Sequence, residues 1–489
     1  MIEILRPDIC VIGAGASGLT VAAAAASFGV SVVLIEQGLM GGDCLNYGCV
    51  PSKALLAAAK HAQSVREAAR FGISAGEPQI NFTTVRDHIR DVIAAIEPND
   101  SVERFTGLGV RVIEAEAHFK DKRSVIAGAY DVRARRFVIA TGSRPFIPPI
   151  EGLDNVSYVT NETVFDLPRR PTHLVIIGGG PIGMEMAQAF HRLGTKVTVV
   201  EAGRALAKDD PEIAALLVGS LRAEGIEIRE NAKVERIVKR GRGGIRIVLA
   251  GQGERADERA GEEGAGSQEE AIEGSHLLVA TGRAAHVDGL GLDKARIAYD
   301  RRGIKVNSRL RTRNRRVYAI GDATGGFQFT HWGGYQAGLV LRSILFRFGG
   351  RMDNSLIPWV TYTDPELAHV GLTEEEAVKR HGKIAILRWP FSENDRAQTE
   401  RSTRGLVKVL ATRRGRILGV DILGRGAGEL IAPWALAIGN GLTVSAMATA
   451  VFPYPTMSEA SKRAAVSFYA AKTQAPMVRR LIRFLRAFG

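Results

Sequence analysis

Asp8-Ile9-Cys10-Val11-Ile12-Gly13-Ala14-Gly15-Ala16-Ser17-Gly18 is the stretch that decides the fold of this chain. A strand-like run enters Gly-x-Gly-x-x-Gly, an alanine-rich helical segment follows, and Val30 to Ile35 then ends on Glu36. The first glycine permits a tight turn, the second removes a side chain where a pyrophosphate approaches, and the third lets helix and strand pack closely. The helix N-terminus turns N–H groups and the positive end of its dipole toward phosphate. Glu36, about twenty residues on, can accept hydrogen bonds from ribose hydroxyls. The same design recurs downstream as Leu174 to Ile177, Gly178-x-Gly180-x-x-Gly183, a helix to about Leu193, and Lys196 to Val200 ending on Glu201. One such pattern is weak evidence. Two copies, each with strand, helix and terminal acid, indicate two dinucleotide sites in an α/β protein with two Rossmann-like domains. A carboxylate at Glu201 repels a 2′-phosphate, so NADH is favoured over NADPH, a preference that the nearby Arg204 softens.

The chain has 489 residues, room for about three domains. Hydrophobic content of 45% and charge of 24% are ordinary for a soluble globular enzyme. No apolar run reaches the roughly eighteen residues of a membrane span. The first strand starts almost at once, which leaves no room for a signal peptide and makes the cytoplasm the expected location. The net charge of +13 comes mostly from scattered arginines, so a solvated surface is expected and no nucleic-acid partner. Clusters occur only at Arg309 to Arg316 and in the C-terminal tail. Gly241–Gly274 is Gly-, Glu- and Ala-rich and reads as an extended hairpin or mobile loop inserted in the second nucleotide domain. From about Arg351, strand-like runs (Gly405 to Leu410, Ile417 to Leu423) and helical stretches point to a separate α+β domain.

Directly after the first nucleotide unit comes Gly41-Gly42-Asp43-Cys44-Leu45-Asn46-Tyr47-Gly48-Cys49-Val50-Pro51-Ser52-Lys53. Two cysteines this close at a helix start can close a small disulfide, and the helix N-terminus lowers a thiol pKa below its free value of about 8.5. Buried filler and zinc ligation are the alternatives, but no third and fourth ligand stand at metal spacing. No resident metal is expected. Cys10, inside the first strand, reads as core.

This run resembles the redox motif of the pyridine nucleotide–disulfide oxidoreductases, which include lipoamide dehydrogenase, glutathione reductase and mercuric reductase. The resemblance continues along nearly the whole chain. Ala140-Thr141-Gly142-Ser143-Arg144-Pro145 is similar to the segment covering the flavin, and Ala280-Thr281-Gly282-Arg283 to the strand end closing the nicotinamide domain. Ala319-Ile320-Gly321-Asp322-Ala323 is similar to the second FAD motif, whose Asp holds the ribityl chain. Thr363 to Thr373 resembles the opening of the dimerisation domain. The resemblance implies FAD and NAD domains, a C-terminal α+β dimerisation domain and a homodimer. The implied boundaries are 1–148 and 285–350 for FAD, 149–284 for NAD(P)H with its insertion at about 241–274, 351–470 for the interface, and a tail at 471–489. Carried over by position, Cys49 is the sulfur against the flavin, forming the charge-transfer thiolate, and Cys44 is the interchange sulfur that meets the acceptor. Lys53 and Glu185 match an ion pair near flavin N5, against the plainer reading of helix-surface charges. The implied FAD contacts are Gly13, Gly15, Gly18, Glu36, Gly42, Lys53, Ala117, Thr141, Gly142, Asp322 and His331, the last through its backbone. The implied NAD contacts are Gly178, Gly180, Gly183, Glu201 and Gly282. Pro181 stands where several relatives carry a Tyr that gates the nicotinamide site.

One departure decides the branch. Disulfide reductases of this family end in His-Pro-Thr-x-x-Glu, supplied by the partner subunit, and that His shuttles protons because its pKa lies near the working pH. Here the sequence reads Phe452-Pro453-Tyr454-Pro455-Thr456-Met457-Ser458-Glu459. A phenol with a pKa of about 10 is a poor base at neutral pH. Mercuric reductases carry Tyr at this place, and Asp395-Arg396-Ala397 and Ala427 to Ile431 are also similar to that branch. The usual C-terminal cysteine pair has no counterpart, since no Cys follows Cys49, and no CxxC occurs in this sequence to suggest the appended metal-binding domain. The expected function is therefore an NAD(P)H- and FAD-dependent oxidoreductase passing electrons to the Cys44–Cys49 disulfide and on to a soft metal ion or other small acceptor. Dihydrolipoamide dehydrogenase is the alternative, and a non-catalytic flavin or NADH sensor a further one. Tyr454 and Glu459 of one chain are expected to face Cys44 of the other. In the tail, Val478, Leu481, Ile482, Leu485 and Phe488 alternate at helical spacing with Arg479, Arg480, Arg483 and Arg486. This helix either packs on its own domain or dimer partner or lies on an anionic membrane.

Overall fold

The computed structural model describes residues 2–241, 243–250, 270–470 and 476–488. It divides into two compact units, Met1–Ala202 with Asn231–Met352, and Gly203–Glu230 with Asp353–Gly489.

In the first unit the strand Ile9–Ile12 forms where the sequence places it, every residue buried. It is flanked by Val32–Glu36 and Arg136–Ile139, with Val110–Glu114 and Val317–Ala319 at the edges, all parallel. Alternation along Ile9–Ile12 sends Ile9 and Val11 to one layer of core, with the helix Ala16–Ser27, and Cys10 and Ile12 to the other. Cys10 is fully buried, and that burial pushes its thiol far up, so it is inert packing. The second copy repeats the plan: His173–Ile177 pairs in parallel with Lys196–Val200 and His276–Val279, and the helix Pro181–Arg192 follows its glycine turn. The strands Ser143–Pro145 and Arg283–Ala285 pair antiparallel. In the expected insertion, Gly244–Leu249 and Ala271–Gly274 pair antiparallel, as the two limbs of a hairpin would. Residues 251–269 between them lie outside the described residues.

The second unit is built on an antiparallel sheet in the order Trp359–Thr361, Glu366–Gly371, Ile417–Gly424, Leu406–Thr412, Ile384–Pro390. Its least expected feature is Lys408, buried in mid-strand. Its ammonium lies 2.7 Å from Asp210, 3.0 Å from Glu212 and 2.7 Å from Glu374. Burial alone would push the lysine down, but the three carboxylates more than offset it and hold the lysine above its ordinary value. Arg388 also grips Glu212 with two bonds of 2.8 Å, and these, with Lys408, bring that carboxyl to about 2.

Candidate active site

The redox segment is stitched to the first nucleotide turn. Gly41 donates its N–H to the Ala14 carbonyl at 3.0 Å, and Gly42, in the left-handed region at φ +58°, passes so close that a Cβ would lie 2.7 Å from the Gly15 Cα. Cys44 sits on the short helix Gly42–Asn46, and Cys49 opens the long helix Cys49–Glu67. Both are free thiols, Cys44 half-buried and Cys49 exposed in the protein alone. The neighbouring Cys44 is the main reason the Cys49 thiol falls to about 6; burial opposes it, while Thr330, 3.4 Å away, and the Lys53 ammonium assist. Cys44 moves the opposite way, well above the ordinary thiol range, because of the neighbouring Cys49 and the burial of its own sulfur. The two shifts run in opposite directions, which favours the negative charge of a singly ionised pair on Cys49.

One turn beyond Cys49, the Lys53 Nζ lies 2.7 Å from Oε2 of Glu185, whose side chain is buried on the helix Pro181–Arg192. The structure thus joins the two nucleotide units through the ion pair that the resemblance implied. Three residues make contacts that had no signal in the sequence. Thr330 reaches Cys49 across 281 residues. The buried Asn161 donates to Asp43 at 3.1 Å and to the Tyr47 carbonyl at 3.3 Å. Arg283 pairs with Asp43 at 3.1 Å.

The six glycines of the two turns fall into two kinds. A Cβ on Gly13 or Gly178 would strike the carbonyl of Ala140 or Ala280, and one on Gly18 or Gly183 would strike the carbonyl of Gly13 or Gly178. A Cβ on Gly15 or Gly180 would meet nothing within 4 Å. Packing explains four of the glycines, whereas the middle glycine of each turn keeps an open cradle at a helix N-terminus, the shape a pyrophosphate needs. Glu36 accepts the Ala14 N–H at 2.5 Å, and Glu201 accepts the Gly179 N–H at 2.7 Å. Each carboxylate is thereby fixed at the rim of its turn. Asp322 accepts from the Ser143 hydroxyl at 2.6 Å and lies 4.0 Å from Arg283; burial pushes its carboxyl up, and those two partners counter the rise. Gly142 is left-handed at φ +68°, and the Thr141 hydroxyl donates to the His286 carbonyl at 2.7 Å. Gly282 is left-handed at φ +124° and, like Gly142, has nothing that a Cβ would strike. His331 lies in the first turn of the helix Thr330–Leu345, which has no side-chain cap. Ala117 is a buried core residue at the start of Ala117–Phe119. These residues fit FAD and a nicotinamide dinucleotide.

In the second unit, Tyr454 is 68% exposed. Its hydroxyl donates to Asp395 Oδ2 at 2.9 Å, a bond that raises the phenol above its ordinary value. Asn394 braces the same loop by donating to the Thr456 carbonyl at 3.1 Å. Glu459, which opens the helix Glu459–Ser467, lies 3.5 Å from Arg463. The phenol is therefore held by Asp395, a residue that the sequence marked only as part of a similar run.

The chain matches the family described as pyridine nucleotide-disulphide oxidoreductase over residues 7–337, and that family's dimerisation domain over residues 357–465. It is 37% identical over 470 residues to a mercuric reductase of Streptomyces lividans, covering 94% of this chain and 96% of that one. It is 36% identical over 479 residues to a dihydrolipoyl dehydrogenase of Thermus scotoductus, covering 94% and 97%. Among solved structures it superposes on the HOCl-induced flavoprotein disulfide reductase RclA from Escherichia coli with a TM-score of 0.81 at 27% identity, covering 94% of this chain and 99% of that one. The Cu(II) complex of that protein gives 0.80 at 28%, covering 92% and 98%. The chain belongs to the pyridine nucleotide–disulfide oxidoreductases. It is a flavoprotein enzyme of a family that binds FAD and NAD(P)H, and its dimerisation domain indicates a homodimer. No described helix is long and apolar enough to cross a membrane.

Proposed function

We propose that this enzyme takes two electrons from NADH and passes them through the Cys44–Cys49 pair to a thiolate-binding metal ion, Hg(II) or Cu(II), as substrate, acting as a homodimer in the cytoplasm. The observation that carries this reading is Tyr454 hydrogen-bonded to Asp395 where disulfide-exchanging relatives place a histidine. A leaving dithiol needs a group that accepts and returns a proton near pH 7, and a phenol raised by a carboxylate cannot do so. A metal ion has no such need, because it takes electrons from thiolate ligands without accepting a proton. The names of the Streptomyces lividans relative and of the Cu(II) complex support a metal acceptor. NADH loses two electrons and releases one proton, and one Hg(II) or two Cu(II) take those electrons.

FAD, when bound, supplies the two-electron relay between the nicotinamide and the cysteine pair. In this reading Cys49 holds the thiolate toward the flavin site, and Cys44, carrying the proton, is the outer sulfur that gives that proton up on meeting the metal ion. Lys53, fixed by Glu185, keeps positive charge beside the thiolate. Gly13, Gly15, Gly18, Glu36, Gly42, Ala117, Thr141, Gly142, Asp322 and the backbone at His331 hold FAD, in a domain of residues 1–148 and 285–350. Gly178, Gly180, Gly183, Glu201 and Gly282 hold NADH, in residues 149–284. The Glu201 carboxylate disfavours a 2′-phosphate, and Arg204 is engaged by the Ala207 and Asp209 carbonyls. Residues 351–470 form the dimer interface, where Tyr454 and Glu459 of one chain face Cys44 of the other.

The test compares NADH oxidation by the FAD-loaded enzyme with lipoamide, with Hg(II) in excess thiol and with Cu(II) in thiol-free buffer. Metal-dependent turnover that vanishes in Cys44→Ser, little turnover with lipoamide, and a gain of lipoamide turnover in Tyr454→His are expected. Fast lipoamide turnover by the unaltered enzyme would overturn the reading in favour of a dihydrolipoyl dehydrogenase, the name carried by the Thermus scotoductus relative.

A further inference from the structure

We propose that the helix Pro476–Leu485 and the turn that follows it, Arg486–Phe488, bind the surface of an anionic lipid bilayer, whichever acceptor the redox centre serves. Each helical residue turns the chain by about 100°. On that wheel Met477, Val478, Leu481, Ile482, Phe484, Leu485 and Phe488 fall within an arc of about 160°, and Arg479, Arg480, Arg483 and Arg486 within a separate arc of about 120°. The arcs do not overlap. None of the helix residues is buried; Leu481 is 54% exposed, Phe484 62% and Phe488 74%. An apolar stripe of this size left in water is costly, and such a stripe marks a surface that something covers.

Charge identifies the occupant. From Ala464 to Gly489 the sequence holds five basic residues (Lys472, Arg479, Arg480, Arg483 and Arg486) and no acidic one. A protein seat for this helix needs only an apolar groove and would leave the arginine arc in water, its charge unmatched. An anionic bilayer matches both arcs, with headgroup charge beside the arginines and acyl chains beneath the stripe. At 1.5 Å per residue the ten residues of the helix span about 15 Å, half the hydrocarbon core, so the helix lies in the interface and does not cross it.

The test is flotation of the full-length FAD-loaded enzyme with vesicles of phosphatidylcholine alone and with vesicles of equal parts phosphatidylglycerol and phosphatidylcholine. Binding to the anionic vesicles should be stronger by about a hundredfold or more, since each arginine at the surface adds severalfold, and high salt should weaken it. Ile482→Asp with Leu485→Asp should abolish flotation, and replacing the four arginines by Gln should remove the preference for anionic lipid. Both variants, and deletion of Met477–Gly489, should leave NADH oxidation in solution and the dimer intact. No flotation, equal flotation with both vesicle types, or dissociation of the dimer on deletion would each overturn the proposal, the last by showing that a second copy is the occupant. Failure of the metal-acceptor reading would leave these outcomes unchanged.

Discussion

The polarised cysteine pair makes a quantitative prediction about charge. With its pKa at about 6, Cys49 is about 0.9 thiolate at pH 7, whereas an ordinary thiol at about 8.5 is only about 0.03 ionised, a difference of about thirtyfold. The largest lowering cause is the neighbouring Cys44, with Thr330 next and the Lys53 charge after it. Cys44→Ala should therefore move the midpoint upward the most, Thr330→Val less, and Lys53→Met least. The assay is the long-wavelength absorbance that a thiolate lends to an adjoining flavin, titrated from acid to alkaline pH in the two-electron-reduced enzyme and directly in Cys44→Ala. A lowered thiol pKa means that the charged form persists down to its own midpoint, so the wild-type band should hold from pH 9 to about pH 7 and be half lost at about pH 6. In Cys44→Ala the half-loss should move toward about 8.5. A wild-type midpoint near 8.5, or a Cys44→Ala midpoint no higher than that of Lys53→Met, would refute the assignment of charge to Cys49 and of its cause to Cys44.

Two further outcomes follow from packing. Gly15→Ala should leave the apo-protein as stable as before, because a Cβ there meets nothing, and weaken FAD binding by about tenfold or more, whereas Gly18→Ala should destabilise the apo-protein itself; denaturant midpoints and flavin fluorescence titrations separate the two. Lys408→Met should cost about 3 kcal/mol, the low end for breaking a buried ion pair, because Glu212 and Glu374 keep access to water and only Asp210 is stranded; a loss below about 1 kcal/mol by urea unfolding would show that the cage is not load-carrying.

The parts of the site that the sequence displayed are those whose chemistry is local. A glycine turn, its helix and its terminal acid lie within about thirty residues, and Cys44 and Cys49 share one loop, so residue type and spacing were enough. Lys53 and Glu185 are 132 residues apart, and only the family resemblance joined them. Thr330 and Asn161 carried no pattern, because an exposed threonine at a helix start and an asparagine in a turn are ordinary residues until the fold brings them against Cys49 and Asp43. Lys408 was hidden for another reason. Val407 to Ala411 is buried on both faces, so the strand lacks the alternation that would mark an inward-pointing residue, and the three acids that neutralise it come from two distant segments. The exchange of histidine for Tyr454 was plain in the sequence, but its hydrogen bond to Asp395 was not, because 59 residues separate the two.

The division of the glycine turns bears on how such domains age. In each copy the outer glycines are enforced by the chain's own carbonyls, while a Cβ at the middle one would meet nothing in the chain, which leaves the approach of a pyrophosphate as its constraint. A descendant that ceased to bind one dinucleotide would keep its Gly13 and Gly18, or its Gly178 and Gly183, to go on folding. It would be free to drift at Gly15 or Gly180. The middle position thus works as a clock for disuse, and by that measure both halves of this chain are still in service.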